Sequence, residues 1–234
     1  MSVPAENRLP EPALLHDEGR LVAVAHPDSM AAEQYRVLLA RLDRMKAARP
    51  MRLVAVTSCA RGEGRSMTAA NLALTAAREG REVALVECDL RRPSLAGLFE
   101  LEPRGGLAEV VEGTVELEQA LNRVDGLMVL CAGEARDPAA LLRNPRLAMT
   151  LDTLRASFPL VVLDVPPALA LSDAARLEAA VDGMLLVVKA GETPREVVRL
   201  AVEALGDRLL GIVLNGVDEP GYARYLRHEA AAAP

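Results

Sequence analysis

Residues 57–66, TSCARGEGRS, place two glycines, a carboxylate, an arginine and a hydroxyl between an apolar run and an Ala/Leu-rich segment. Gly62 and Gly64 let the backbone curl so that successive N–H groups face a single anion. A helix opening at Ser66 adds the partial positive charge of its N-terminus. The Ser66 hydroxyl stands where such loops hold magnesium, and Glu63 lies inside the loop. The chemistry is that of a phosphate cradle with one substitution. The position before the hydroxyl calls for lysine, and here it is Arg65. An ammonium is a compact charge that fits between two phosphates, whereas a guanidinium is longer, wider and planar, so the two are not interchangeable.

Two carboxylate motifs strengthen the reading. VALVECDLRRP closes an apolar run with Glu87 and Asp89, followed by Arg91, and LVVLDVPP closes another with Asp164, followed by Pro166 and Pro167. Carboxylates at the C-terminal ends of parallel strands sit where open α/β sheets bind ligands, and they can hold magnesium or its water shell.

These groups need a scaffold that brings distant strand ends to one edge. The runs at 53–56, 83–87, 127–130, 160–165, 184–188 and 211–214 are almost wholly apolar, as strands covered on both faces must be. Helical segments are expected at about 66–79, 94–99, 107–112, 115–122, 145–157, 172–180 and 194–205. The alternation predicts an α/β fold, a mostly parallel sheet sandwiched by helices in three layers, with the phosphate loop of a P-loop NTPase. Before the first strand, Ser29 is placed to cap a lead-in helix over 29–48, with Tyr35, Leu38, Leu39 and Leu42 on its apolar face and Pro50 beyond its end. Residues 1–20, with Pro4, Pro10 and Pro12, read as a mobile tail, 21–218 as one domain and 219–234 as a C-terminal tail.

Composition excludes several functions. The chain has 234 residues and a net charge of -6, which argues against neutralising nucleic-acid phosphates. Three tyrosines, two phenylalanines and no tryptophan cannot build a stacking platform for bases. Cys59, Cys88 and Cys131 each lie in or beside an apolar run without metal-site spacing, which suits reduced core thiols. No stretch reaches the ~18 apolar residues of a spanning helix, and MSVPAENRLPEP lacks the features of a signal peptide. The expectation is a cytoplasmic protein without direct membrane insertion. Of 27 basic residues only Lys46 and Lys189 are lysines, so arginine at any one position carries little weight by itself.

Taken together, TSCARGEGRSMTAANLA, VALVECDLRRP and LVVLDVPPALALSDAARL resemble the three Walker motifs of the bacterial tyrosine kinases of capsule and exopolysaccharide synthesis, the BY-kinases. The resemblance covers roughly residues 21–218 and includes AAEQYRVLLARL, GLAEVVEGTVELEQAL and GIVLNGVD. It implies ATP or ADP with Mg2+ as cofactors. It assigns Gly62, Glu63, Gly64, Arg65, Ser66 and Arg91 to nucleotide binding, Ser66, Asp89 and Asp164 to the metal, and Glu87, Asp89 and Asp164 to catalysis. Asn215 resembles a position that contacts the adenine. The implied partner is the cytoplasmic segment of a membrane polysaccharide co-polymerase, with an intact kinase paralogue as a second candidate, and the implied location is the inner face of the membrane. The sister group of partition and division-site ATPases carries a further lysine early in the loop, where this chain has Ala60.

The departures from the family are specific. Arg65 replaces the phosphate-binding lysine, and Glu87 replaces an aspartate, moving its carboxylate outward by about 1.5 Å. The family joins subunits into a ring through a glutamate with arginines three and six positions on. Glu33 and Arg36 match that pattern, but the next slot is Leu39, and Arg41 and Arg44 point elsewhere on the helix. The tyrosine-rich C-terminus of the family is reduced to the candidate phosphoacceptors Tyr222 and Tyr225. Three readings follow: a regulator of polysaccharide assembly with reduced or absent kinase activity, an active divergent tyrosine autokinase, and a partition-type ATPase.

Overall fold

The structure is a computed structural model that describes residues 21–48, 50–169, 177 and 179–217. The expected tails, Tyr222 and Tyr225 included, lie outside the described residues, as does most of the segment 170–178.

Seven strands form one sheet: β1 (Leu53–Ser58), β2 (Val83–Glu87), β3 (Leu121–Val124), β4 (Leu127–Leu130), β5 (Leu160–Asp164), β6 (Gly183–Lys189) and β7 (Leu209–Asn215). Their order across the sheet is β3-β4-β2-β5-β1-β6-β7, and every neighbouring pair is parallel except β3 with β4. All six residues of β1 are buried because the sheet is covered on both faces. Leu53 and Ala55 enter one apolar core, while Val54 and Val56 enter the other, as period-2 alternation requires.

On the second of these faces lie α1 (Val22–Ala25), α2 (Met30–Ala48), α3 (Arg65–Arg78) and α4 (Leu95–Leu98). The first face carries α5 (Leu107–Glu112), α6 (Leu117–Ala120), α7 (Pro138–Leu141), α8 (Pro145–Ser157) and α9 (Arg195–Leu205). This is the three-layer α/β/α sandwich that the alternation of apolar runs predicts. Ser29 Oγ accepts the Ala32 N–H at 3.1 Å and so caps α2. Leu39 and Leu42 of that helix are fully buried in the core against α3, and Tyr35 and Leu38 pack beside them. Leu39 therefore belongs to the chain's own interior. Cys59, Cys88 and Cys131 are free and buried, as read from the sequence.

One expected element is corrected. The helix expected over 115–122 stops at Ala120, and Leu121–Val124 becomes an edge strand antiparallel to β4. Asp125 and Gly126, with φ of 47° and 80°, make the two-residue turn that lets the chain reverse, and Val124 pairs directly with Leu127. Asp-Gly between two apolar runs is the sequence signal for this hairpin. The four-residue helices α1 and α7 were not anticipated either.

Candidate nucleotide site

Strands β1, β5 and β2 lie side by side and run parallel, with Asp164 in register with Val56 on one side and Glu87 on the other. Their C-terminal ends therefore finish level, and the loop after β1 opens directly over the carboxylates that close β5 and β2. Gly62 and Gly64 have φ of 80° and 87°, the left-handed conformation that a residue with a Cβ adopts only under strain. Gly64 is the N-cap of α3 and supplies no side-chain cap, so the N–H groups at the start of this 14-residue helix remain available to an anion.

Side chains from distant parts of the chain pin the loop in shape. Glu63 is buried; its Oε2 accepts the Ala60 N–H at 3.0 Å, and its Oε1 accepts the Thr193 hydroxyl at 2.5 Å. Thr193 Oγ1 in turn accepts the Lys189 N–H at 3.2 Å, at the end of β6. Asn215, the last residue of β7, donates Nδ2 to the Glu63 carbonyl at 2.9 Å. Thr57 donates to the Pro166 carbonyl at 2.8 Å and ties the first motif to the third. Glu63 and Asn215, which the resemblance assigns to the nucleotide, both hydrogen-bond the loop itself.

Arg65 is the centre of the site. Its Nε donates to Asp164 Oδ1 at 2.6 Å, and its Nη2 donates to Asp89 Oδ2 at 2.8 Å. The Arg65 side chain is 11% exposed and that of Asp164 is 0% exposed, so both ion pairs are largely desolvated. Asp89 Oδ1 also accepts the Arg92 N–H at 3.2 Å. Burial pushes the Asp164 carboxyl up, and the Arg65 guanidinium and the Ser66 hydroxyl oppose that shift. Asp164 Oδ2 is buried and accepts no hydrogen bond.

That orphaned oxygen tests whether the residues fit magnesium. A hard cation wants oxygen donors, and Asp164 Oδ2 and the Ser66 hydroxyl provide them side by side. Among the described residues no three His, Cys, Asp or Glu side chains converge as a metal site. An ion here accordingly depends on phosphate oxygens for the rest of its shell, as Mg2+ commonly does. The residues fit an ion that arrives with a nucleotide.

Glu87, which the resemblance assigns to catalysis, is engaged here by backbone N–H groups. It is fully buried; its Oε1 accepts the Leu95 N–H at 2.9 Å and also the Ser94 N–H, and its Oε2 accepts the Ala132 N–H at 3.1 Å. It holds the start of α4 and the end of β4 to β2. Burial raises its pKa, and the three backbone donors oppose the rise. Its one link toward the loop is Ser94, whose hydroxyl lies 3.3 Å from Glu87 Oε1 and 3.1 Å from Ser66 Oγ. Arg91, two residues after Asp89, is exposed. Sequence reasoning missed Thr193 and Ser94. Each stands just before a helix, where capping is the ordinary role, and neither spacing carries a sign of the loop.

A family model described as the NUBPL iron-transfer P-loop NTPase, of the ParA type, matches residues 50–215. The tyrosine-protein kinase YwqD of Bacillus subtilis is 35% identical over 211 residues, 88% of this chain and 89% of that protein. The succinoglycan biosynthesis transport protein ExoP of Rhizobium meliloti is 30% identical over 90% of this chain, which spans only 28% of ExoP. The kinase domain of the Escherichia coli tyrosine kinase ETK superposes with a TM-score of 0.79 at 29% identity, covering 85% of this chain and 80% of that domain. The chain belongs to the bacterial tyrosine kinase branch of the ParA-type P-loop NTPases.

Proposed function

We propose that the chain is a BY-kinase-like regulator of exopolysaccharide or capsule polymerisation and export that binds ATP or ADP weakly with Mg2+ and has reduced or absent tyrosine kinase activity. The observation that carries this reading is the position of Arg65, bound to Asp89 and Asp164 at once. Phosphoryl transfer depends on placing charge around the phosphates. Here the loop's own cation is turned toward the protein's carboxylates, and Glu87 is committed to backbone N–H groups. A misplaced charge at such a point costs on the order of 10²–10³ in rate.

What remains supports binding. The left-handed Gly62 and Gly64 and the uncapped start of α3 suit phosphate binding, Ser66 and Asp164 Oδ2 offer oxygens to magnesium, and Arg91 is exposed. Bound magnesium would neutralise phosphate charge and orient the terminal phosphate. The pathway assignment rests on the relatives, which include a tyrosine-protein kinase and a succinoglycan biosynthesis transport protein. No helix among the described residues is long and apolar enough to cross a membrane. Attachment at the inner face then runs through the cytoplasmic segment of a membrane polysaccharide co-polymerase, or through an intact kinase paralogue.

Phosphotyrosine blotting of the full chain after incubation with Mg-ATP tests the reading. Little or no signal is expected. A robust signal that disappears on replacing Tyr222 and Tyr225 together by phenylalanine would establish the active autokinase instead.

A further inference from the structure

We propose that Arg65 is the resident cation of the Asp89–Asp164 pair and keeps divalent metal off both carboxylates until a phosphate group enters the loop. The metal exclusion stands on the geometry alone, while the phosphate-first order rests on the nucleotide reading above.

Two carboxylates that meet in a buried pocket need a counter-charge. In this chain a planar guanidinium provides it with two separate N–H donors, Nε at 2.6 Å from Asp164 and Nη2 at 2.8 Å from Asp89. An ammonium is a single point without that fork. Arginine stays protonated at any physiological pH, so proton loss cannot free the carboxylates. Metal entering alone would either bring its charge beside a guanidinium that already neutralises both carboxylates or displace that guanidinium and leave it desolvated without an anion. Breaking a buried pair in that way is strongly unfavourable. A nucleotide removes the obstacle, because its phosphates give the guanidinium a new anionic partner at the mouth of the same loop. Metal and nucleotide then bind with positive coupling, and each raises the affinity of the other. Asp164 Oδ2, buried and without a hydrogen-bond donor, is the oxygen left for the incoming ion.

The test uses Mn2+ as the probe and the full chain, with free ion read from its paramagnetic resonance signal. Without nucleotide the wild-type protein should take up no Mn2+ at sub-millimolar concentration. Arg65→Met should bind it about tenfold or more tightly. Equal Mn2+ affinity in the two proteins overturns the proposal. Arg65→Met leaves two buried carboxylates facing each other, so a second measurement on the wild-type chain covers the case in which that variant does not fold. The Arg65 Nε–H resonance should be unmoved by Mg2+ alone and shifted by ADP alone. A shift with Mg2+ alone overturns metal exclusion. If Mg2+ alone has no effect and ADP also has none, the exclusion stands and the nucleotide reading fails.

Discussion

Asn215 Nδ2 stands where a side chain on Gly64 would begin: a Cβ built on Gly64 would lie 1.9 Å from it. The last residue of β7 thus closes against the first turn of α3 and holds the Glu63 carbonyl at 2.9 Å. Gly64 also has φ of 87°, which costs an ordinary residue roughly 1–2 kcal/mol. Gly64→Ala is therefore expected to destabilise the protein by about 1–3 kcal/mol and to remove nucleotide binding. Urea unfolding and calorimetry read the two effects. Asn215→Ala, which frees the space and loses one hydrogen bond, should cost only about 1 kcal/mol.

Glu87 should behave as a structural residue. Its three backbone donors come from Ser94, Leu95 and Ala132, and aspartate is too short by one carbon to serve all of them. Glu87→Asp, the change toward the family pattern, is expected to lower stability by about 1–3 kcal/mol and to leave phosphotyrosine formation unrestored. Thermal unfolding and blotting of the same preparation check both halves. Gain of activity without loss of stability would show that Glu87 acts on the phosphates after all.

Leu39 sits at the slot where the family ring carries an arginine, and its side chain is 1% exposed, within the core. Arg36, three residues earlier, pairs instead with Glu33 of its own helix at 2.7 Å. The isolated chain is expected to be a monomer or weak dimer in light scattering across a concentration series. Leu39→Arg should not build a ring. It removes a buried leucine and forces a charge toward the core, for a loss of about 3–5 kcal/mol.

At the opposite end of the sheet Asp182 braces the start of β1. Its Oδ2 accepts the N–H groups of Arg52 and Leu53 at 2.7 and 2.8 Å, and Arg155 Nη1 donates to Oδ1 at 2.5 Å. Burial acts to raise its pKa, but these hydrogen bonds outweigh burial and hold the carboxyl below its usual range. A folded-state pKa below the unfolded one gives stability that is fully present above the ordinary aspartate value of about 3.9 and lost as pH falls through the folded value. Asp182→Asn should cost about 1–2 kcal/mol at pH 7, with the gap to wild type closing in strong acid. Urea midpoints at neutral and acid pH measure this.

The sheet's central strands were legible because burial on both faces writes them as unbroken apolar runs, and the three motifs were legible because each follows such a run. The edge was harder to read. Leu121–Val124 alternates weakly, and only the Asp125-Gly126 turn marks the hairpin. The motif residues were legible as a set, but their partners were not. Glu63 meets Thr193 and Glu87 meets Ala132 across long stretches of chain, so nothing local reveals these partners. Arg65 was visible as a departure, and only the geometry shows which groups it binds, Asp89 and Asp164.

That geometry is tested most directly by calorimetric titration of the wild-type chain and Arg65→Lys with ADP, with and without magnesium. The wild type should bind weakly and with dependence on magnesium. Lysine releases one or both carboxylates and offers the phosphates a compact charge, so binding should tighten by roughly 10- to 150-fold, equivalent to ~1.5–3 kcal/mol. Tight wild-type binding that is unchanged or weakened by Arg65→Lys, or no binding by either protein at millimolar ADP, would contradict the account.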